Sequence, residues 1–295
     1  MSAHRRAIAL MAVAATLWSI AGVVTRHLQS AERWEITFWR SLFAAVFVLG
    51  AMFYTRGARA LDAVRAAGGY GILSGAMWAI MFVAFMLALM TTTTANTLIV
   101  NSIAPLVTAL LARAVLRDPI APRTWAAIVL AIAGMLWMFG SGFAGGEPRH
   151  AAGMLIALAV PLAAAVNLVT LKHAGRSVDL IPAILIGAVL SALITLPFAL
   201  PLAASAHDLA LLAVLGFFQL GFPCMLMLRA SPHLSAPEIS LLALIEVVLG
   251  PLWAWLGAGE APALATLGGG AVVIAALLLN ELAALGGRVR ARNQA

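Results

Sequence analysis

Residues 236–257 read APEISLLALIEVVLGPLWAWLG, an apolar stretch with Glu238 at its start and a second carboxylate, Glu246, near its middle. A helix needs about 20 predominantly apolar residues to cross the hydrocarbon core of a membrane. An ionisable side chain near the centre of such a helix is costly and marks a functional position by default. The stretch therefore predicts a membrane-spanning helix with a candidate site at Glu246.

The rest of the chain repeats this pattern. Of its 295 residues, 63% are hydrophobic and only 10% are charged, which excludes a soluble protein with a polar surface. Hydropathy predicts an all-α membrane protein with no soluble domain between its helices. The ten predicted transmembrane helices cover 7–27, 35–55, 69–90, 94–115, 124–142, 152–173, 181–202, 208–229, 236–257 and 264–285.

The formal charge of +7 indicates membrane topology rather than a nucleic-acid partner. With the N terminus in the cytoplasm, fourteen Arg and Lys residues fall on the cytoplasmic side and four on the other. This positive-inside bias predicts a bacterial-type inner-membrane, multi-pass protein with both termini inside. Arg40, about five residues into the second helix, is predicted to snorkel to the lipid headgroups, with Glu32 and Glu35 as candidate partners. A role at the external mouth is the alternative for Arg40.

An internal repeat divides the chain. HRRAIALMAVAATLWSIAGVVTRHL from His4 aligns with HAAGMLIALAVPLAAAVNLVTLKHA from His150, and further on Asp118 aligns with Glu260. The predicted units are residues 1–146 and 147–295, with five helices each. Because five is odd, the second unit enters the membrane with inverted orientation. Inverted repeats around a central site are typical of alternating-access transporters.

Three stretches resemble the EamA-type members of the drug/metabolite transporter superfamily. They are FWRSLFAA from Phe38, ALMTTTTANTLIVNSIAPLVTALLARAVLRD from Ala88 and GAGEAPALATLGGGAVVIAALLL from Gly257. Trp18 and Glu246 also fit the family. The chain departs from it at Glu246-Val247, where Glu-Pro is frequent, and at Asp118, where Glu is usual. The resemblance implies ten helices and transport of small metabolites, and many members export amino acids or drugs.

Polar residues in the fourth helix recur every three or four positions and form one stripe, which should face a wet cavity or another helix. The stripe consists of Thr94, Thr97, Asn101, Pro105 and Thr108. Hydrogen bonding between helices explains the threonines equally well. Asn101 is the stronger candidate, because a buried amide needs several partners.

Glu246 allows two functional interpretations: it exchanges a proton, or it accepts a substrate amino group. A neutral carboxylic acid bonded within the bundle is the structural alternative. Trp18 and Trp78 lie near mid-depth, where large rings can line a cavity or simply pack in the core. Four prolines at membrane depth can permit gating or produce static kinks. They are Pro105, Pro161, Pro223 and Pro251.

Together these features predict a secondary transporter with a central cavity and alternating access. The predicted cavity residues are Trp18, Trp78, Phe82, Asn101, Asn167, Gln219 and Glu246. The preferred function is export of amino acids, including aromatic and apolar ones. Efflux of drugs or cationic compounds is the alternative, and a non-transporting scaffold or a lipid-acting enzyme is the alternative from another class.

The expected partners are a small-molecule substrate and the lipid bilayer, and no nucleic acid. The chain shows no catalytic or metal-binding motif and no Walker A string, so we expect neither enzymatic activity nor a cofactor. The Gly-rich segment of the tenth helix allows close helix contact within the monomer or between two copies. The sequence leaves the oligomeric state and the energy coupling open.

Overall fold

The computed structural model describes residues 3–117, 119–144, 148–174, 180–234 and 236–293, and throughout these ranges the regular structure is helical. Asp118 and the expected boundary between residues 146 and 147 lie outside them. The helices are Ala3–Trp18, Ala21–Thr25, Arg33–Arg56, Arg59–Ala66, Gly68–Thr91, Thr94–Ser102, Ala104–Leu116, Pro122–Ala144, Pro148–Ala157, Ala159–Ala174, Leu180–Ala199, Ala206–Val214, Leu215–Gly221, Phe222–Ala230, Ser231–His233, Ala236–Ala258 and Leu264–Asn293.

These helices form ten stretches long and apolar enough to cross a membrane, as predicted, and we number them the first to the tenth span. The bounds differ from the predicted ones by a few residues. A short helix between the second and third spans, Arg59–Ala66, was not predicted. The spans are Ala3–Thr25, Arg33–Arg56, Gly68–Thr91, Thr94–Val115, Pro122–Gly140, Arg149–Thr170, Ile181–Ala199, Ala206–His233, Glu238–Ala258 and Leu264–Leu285.

Contacts between the connecting segments indicate that consecutive spans run in opposite directions. Arg26, after the first span, donates to the carbonyl of Thr92, after the third, and pairs with Glu260, after the ninth. At the opposite end, His4 contacts the carbonyl of His233, which ends the eighth span. We call these the Arg26 end and the His4 end of the bundle. In the predicted topology the Arg26 end is external.

The packing has the internal symmetry expected of an inverted repeat. The second span packs on the seventh, and the fifth on the tenth. The first span contacts the eighth and ninth, and the sixth likewise contacts the third and fourth. If each of the first five spans is exchanged with its counterpart in the second five, first with sixth and so on, the same pairs of spans are in contact. The predicted all-α fold of two five-helix repeats is confirmed.

Three of the four predicted prolines follow a helix irregularity, because proline lacks an N–H and clashes with the carbonyl four residues earlier. The fourth span is divided at Ile103, just before Pro105, and the sixth at Leu158, before Pro161. In the eighth span a π-helix over Leu215–Gly221 precedes Pro223. Pro251 instead lies inside the continuous helix Ala236–Ala258.

The first span is interrupted without a proline. Its helix ends at Trp18 and resumes at Ala21 after a turn at Ser19 and Ile20. The Ser19 hydroxyl donates to the carbonyl of Thr16 and accepts from the indole N–H of Trp253 in the ninth span. Interrupted helices at membrane depth are tolerated where packed protein satisfies the freed backbone groups.

Candidate functional site

Arg40 lies in the interior of the bundle, so the prediction that it snorkels to the headgroups is wrong. It is only 2% exposed and is among the largest fully buried side chains. The prediction considered only its distance from the end of the helix. Arg40 shares a helix face with Ile36 and Ala44, which are both buried, and that face points into the bundle.

The expected acidic partners of Arg40 are also elsewhere. Glu35 accepts hydrogen bonds from the Trp39 indole, at 3.2 Å, and from the backbone N–H of Ala204, at 2.8 Å. Glu32 is exposed at the start of the second span. The interior of the bundle therefore contains a basic group that the sequence alone places at the headgroups.

Gln219, one of the predicted cavity residues, contacts Arg40 directly. The Nε of Arg40 donates to Oε1 of Gln219 at 3.0 Å. The Nε2 of Gln219 donates to the carbonyl of Trp18 at 3.3 Å. This carbonyl lies where the first span is interrupted, and Gln219 lies in the π-helix of the eighth. Two helix irregularities thus meet at one hydrogen-bonded chain that joins the repeats.

Glu246 is buried, 9% exposed, in the middle of the ninth span. An ionised Glu246 would interact electrostatically with the Arg40 guanidinium. The Glu246 carboxylate does not come within 4.0 Å of the Arg40 guanidinium, both residues belonging to the described ranges. The site therefore contains an acidic side chain, Glu246, and a basic one, Arg40, that do not form a direct ion pair.

The aromatic residues predicted to line the cavity converge on one hydrophobic cluster. The Trp78 and Phe82 rings are 5.5 Å apart, and both Trp18 and Trp78 pack against the cluster that contains Phe82 and Cys224. Cys224 is buried in the same cluster. Leu220, which follows Gln219 in the chain, belongs to the same cluster.

The two predicted asparagines are not hydrogen-bonded to this centre, as far as the described ranges extend. Asn101 is partly buried next to the interruption of the fourth span. Asn167 is 7% exposed in the sixth span, and its Oδ1 has no hydrogen-bond partner. Within the described ranges, no hydrogen bond joins either asparagine to Arg40, Gln219 or Glu246. Membership of these two residues in one cavity stays a prediction.

A second polar cluster lies at the Arg26 end. Oε2 of Glu260 lies 2.6 Å from the Nε of Arg26, and Oε1 accepts from the backbone N–H of Thr94 at 2.5 Å. The Thr94 hydroxyl donates to Oε2 at 3.2 Å. A single carboxylate thus connects the ends of the first and ninth spans to the start of the fourth. In the sequence, Glu260 stands out only as the counterpart of Asp118 and as part of the family-like stretch from Gly257.

Glycines allow close packing around the first half of the fourth span, Thr94–Ser102. A Cβ on Gly22 of the first span would overlap the Thr94 side chain, and one on Gly250 of the ninth would overlap Leu98. In the tenth span, a Cβ on Gly270 would overlap Ile99. The Gly-rich segment of the tenth span is therefore used for contacts within the monomer. The bundle is tightly packed around this half of the fourth span.

The second half of the fourth span, Ala104–Leu116, packs differently. It lies mainly against the sixth span, whereas the ninth span contacts Thr94–Ser102. The fourth and ninth spans therefore meet towards the Arg26 end and separate towards the His4 end. Leu241, Leu242 and Thr108 are partly exposed in the separated portions.

An apolar groove of 230 Å³ lies among the third, sixth and seventh spans and contains none of the predicted cavity residues. It is lined by Ala79, Ile80, Val83, Ala84, Leu87, Ile156 and Ile194. With only aliphatic side chains on its walls, it has no group that could orient a polar solute.

The model of the EamA-like transporter family matches residues 5–140 and, a second time, residues 151–282. A solved structure described only as "Crystal structure of protein" aligns over 96% of this chain and 98% of its own, with a TM-score of 0.66 and 20% sequence identity. At this identity the likeness concerns the fold. No curated protein matches the chain.

Proposed function

Because this chain belongs to the EamA-like transporter family, matched over both of its halves, we propose that it exports amino acids, aromatic and apolar ones among them, by alternating access. Family membership makes it a multi-pass membrane transporter of the drug/metabolite type. The substrate class, the direction of transport and the inner-membrane location with cytoplasmic termini are our proposals. The units 1–146 and 147–295 are the proposed repeats.

The observation that carries the substrate proposal is the grouping of aromatic rings beside buried polar residues. Trp18, Trp78 and Phe82 pack in the cluster that contains Leu220, and Gln219, the residue before Leu220, bonds the Trp18 carbonyl. Glu246 lies within electrostatic reach of the same place and would accept a substrate amino group or exchange a proton. An apolar pocket with a few placed polar groups is the usual form of a small-molecule site.

The separation of the fourth and ninth spans supports the alternating-access part of the proposal. The Arg26 end is tightly packed around Thr94–Ser102, and the two spans diverge at the other end. In the predicted topology this arrangement opens towards the cytoplasm, from which an exporter loads its substrate. The irregular helices before Pro105, Pro161 and Pro223 are the proposed bending points, and Pro251 is the fourth candidate.

The test is flux in proteoliposomes. We expect saturable uptake of labelled phenylalanine, inhibited by other apolar amino acids and strongly reduced in Glu246→Gln. Glu32→Gln, which makes the same charge change at an exposed position, should transport normally. Absence of flux with every amino acid, together with uptake of a quaternary ammonium dye, would replace this proposal with cationic-compound efflux.

A further inference from the structure

The buried guanidinium of Arg40 is incompletely satisfied. Within the described ranges, the buried side-chain polar atoms that have no hydrogen-bond partner are Nη1 of Arg40, Oγ of Ser74 and Oδ1 of Asn167. Only the first belongs to a cationic group. Burying a charge without a partner costs far more than burying a neutral hydroxyl or amide. Arg40 is thus the least compensated polar group in this part of the molecule.

The orientation of Arg40 is nevertheless well defined. Its Nε is held by Gln219 at 3.0 Å, and Gln219 is held in turn by the Trp18 carbonyl. The guanidinium carbon lies 5.7 Å from the centroid of the Phe85 ring, which supplies a weak cation–π contact. The guanidinium is thus held at its Nε by Gln219 and on one face by the Phe85 ring. Its terminal nitrogens remain available to bind a ligand. Gln219 is therefore a positioning residue for Arg40.

The chain does form direct ion pairs elsewhere, as the 2.6 Å contact between Arg26 and Glu260 demonstrates. Glu246 stands within electrostatic reach of Arg40 but more than 4.0 Å away, both in described ranges. The carboxyl group and the guanidinium are thus separated rather than joined. A solute with an anion and a cation on neighbouring atoms would neutralise both at once.

We propose that Arg40 binds the carboxylate of the transported substrate through its free Nη1 edge, and thereby restricts transport to solutes that carry a carboxylate. This inference rests on the proposed amino-acid export. An α-amino acid would place its carboxylate on Arg40, its ammonium group towards Glu246 and its side chain against Trp18, Trp78 and Phe82. Amines without a carboxylate would meet an unneutralised cation and be rejected.

The test compares analogues of phenylalanine in the full-length protein. The probes are phenylalanine, 3-phenylpropionate, which lacks the amine, phenethylamine, which lacks the carboxylate, and inorganic phosphate. We expect 3-phenylpropionate to inhibit phenylalanine uptake and to raise the thermal unfolding temperature, and phenethylamine and phosphate to do neither. Equal inhibition by phenethylamine and 3-phenylpropionate would overturn the assignment without any mutation. Selective stabilisation by phosphate would overturn the choice of carboxylate.

Two substitutions locate the effect. Arg40→Lys keeps the charge but loses the planar fork, and Arg40→Gln removes the charge. We expect each to raise the KM for phenylalanine about 10- to 100-fold, the usual effect of losing a charged hydrogen bond. The matched control is Arg33→Gln, at an exposed position of the same span. Without ligand, Arg40→Gln should unfold no earlier than the wild type, because it removes an uncompensated buried charge.

The outcomes separate this inference from the proposed function. If phenylalanine is transported and its KM is unchanged in Arg40→Gln, the role of Arg40 is overturned while amino-acid export stands. If no amino acid is transported but 3-phenylpropionate stabilises the wild type and not Arg40→Gln, carboxylate binding stands and amino-acid export fails. If Arg40→Gln unfolds earlier and still responds to 3-phenylpropionate, Arg40 is a structural residue.

Discussion

Replacing Glu260 by Gln should open the Arg26 end of the transporter. Its carboxylate accepts from the Arg26 guanidinium at 2.6 Å and from the Thr94 backbone at 2.5 Å, with the Thr94 hydroxyl at 3.2 Å. Gln has one acceptor and no charge, so the ion pair and at least one hydrogen bond are lost. The side chains of Arg26 and Glu260 are 27% and 16% exposed, so solvent screens the pair only in part.

Losing these contacts should cost about 2 kcal/mol of interaction free energy. This value lies between that of an exposed ion pair and that of several hydrogen bonds to a charged group. If these contacts exist only while the Arg26 end is closed, the open population rises about 30-fold. The reporter is Thr97→Cys in a Cys224→Ala background, because Thr97 is 0% exposed and lies in the polar stripe of the fourth span. The rate at which the introduced cysteine reacts with a membrane-impermeant maleimide measures how often the Arg26 end is open.

Labelling in right-side-out and inside-out vesicles assigns the opening to one face. We expect the faster labelling from the face that carries residues 26 and 260, which the predicted topology places outside. Glu32→Gln is the control, since it makes the same change at an exposed position near that end. A labelling rate in Glu260→Gln within twofold of the parent, at both faces, would refute the view that this carboxylate holds the end closed.

Three further changes test the packing, each measured by thermal unfolding in detergent. Gly22→Ala should lower the unfolding temperature by several degrees, because its Cβ would overlap the Thr94 side chain, whereas Gly140→Ala meets open space and should not. Asp208→Asn should lower the unfolding temperature by about 4 °C, because the Asp208 carboxylate accepts from three backbone N–H groups at 2.7–3.0 Å, those of Gln29, Ser30 and Ala31. The control is Asp62→Asn, which makes the same change at an exposed site. Thr266→Val should lower the free energy of unfolding by about 1 kcal/mol, because the Asn96 Oδ1 loses the Thr266 hydroxyl that donates to it at 2.8 Å. An unchanged unfolding temperature would show that this hydrogen bond does not contribute to stability.

Hydropathy was sufficient to predict the ten spans, because each requires only a long apolar run. The internal repeat and the odd number of spans per half then predicted the inverted arrangement. The sites of three helix irregularities also followed from sequence, since proline at Pro105, Pro161 and Pro223 acts on its own helix. Hydropathy and the effect of a proline on its own helix are local properties, so a single sequence is enough to predict them.

The candidate site was predicted less completely. Glu246 was identified because an acid in the middle of an apolar run stands out in the sequence. Arg40 was misassigned because its role depends on which helix face points inward, and Gln219, its partner, lies in another span. The pairing of Arg26 with Glu260 joins residues 234 positions apart. Such partners are set by tertiary packing, which one sequence without homologues does not reveal.

The hydrogen bonds that join the halves also bear on how the chain is made. Arg26, Arg40 and Asn96 belong to the first half, and each bonds a side chain of the second: Glu260, Gln219 or Thr266. At synthesis rates of about 5–20 residues per second, the 170 to 234 residues that separate these partners take roughly 10–50 s to make, and the first half waits that long in the membrane. During that interval a buried guanidinium and an amide have only lipid, water or the insertion machinery around them. The two repeats are symmetric in architecture but unequal in biosynthesis, since the earlier one remains unfinished until the later one arrives.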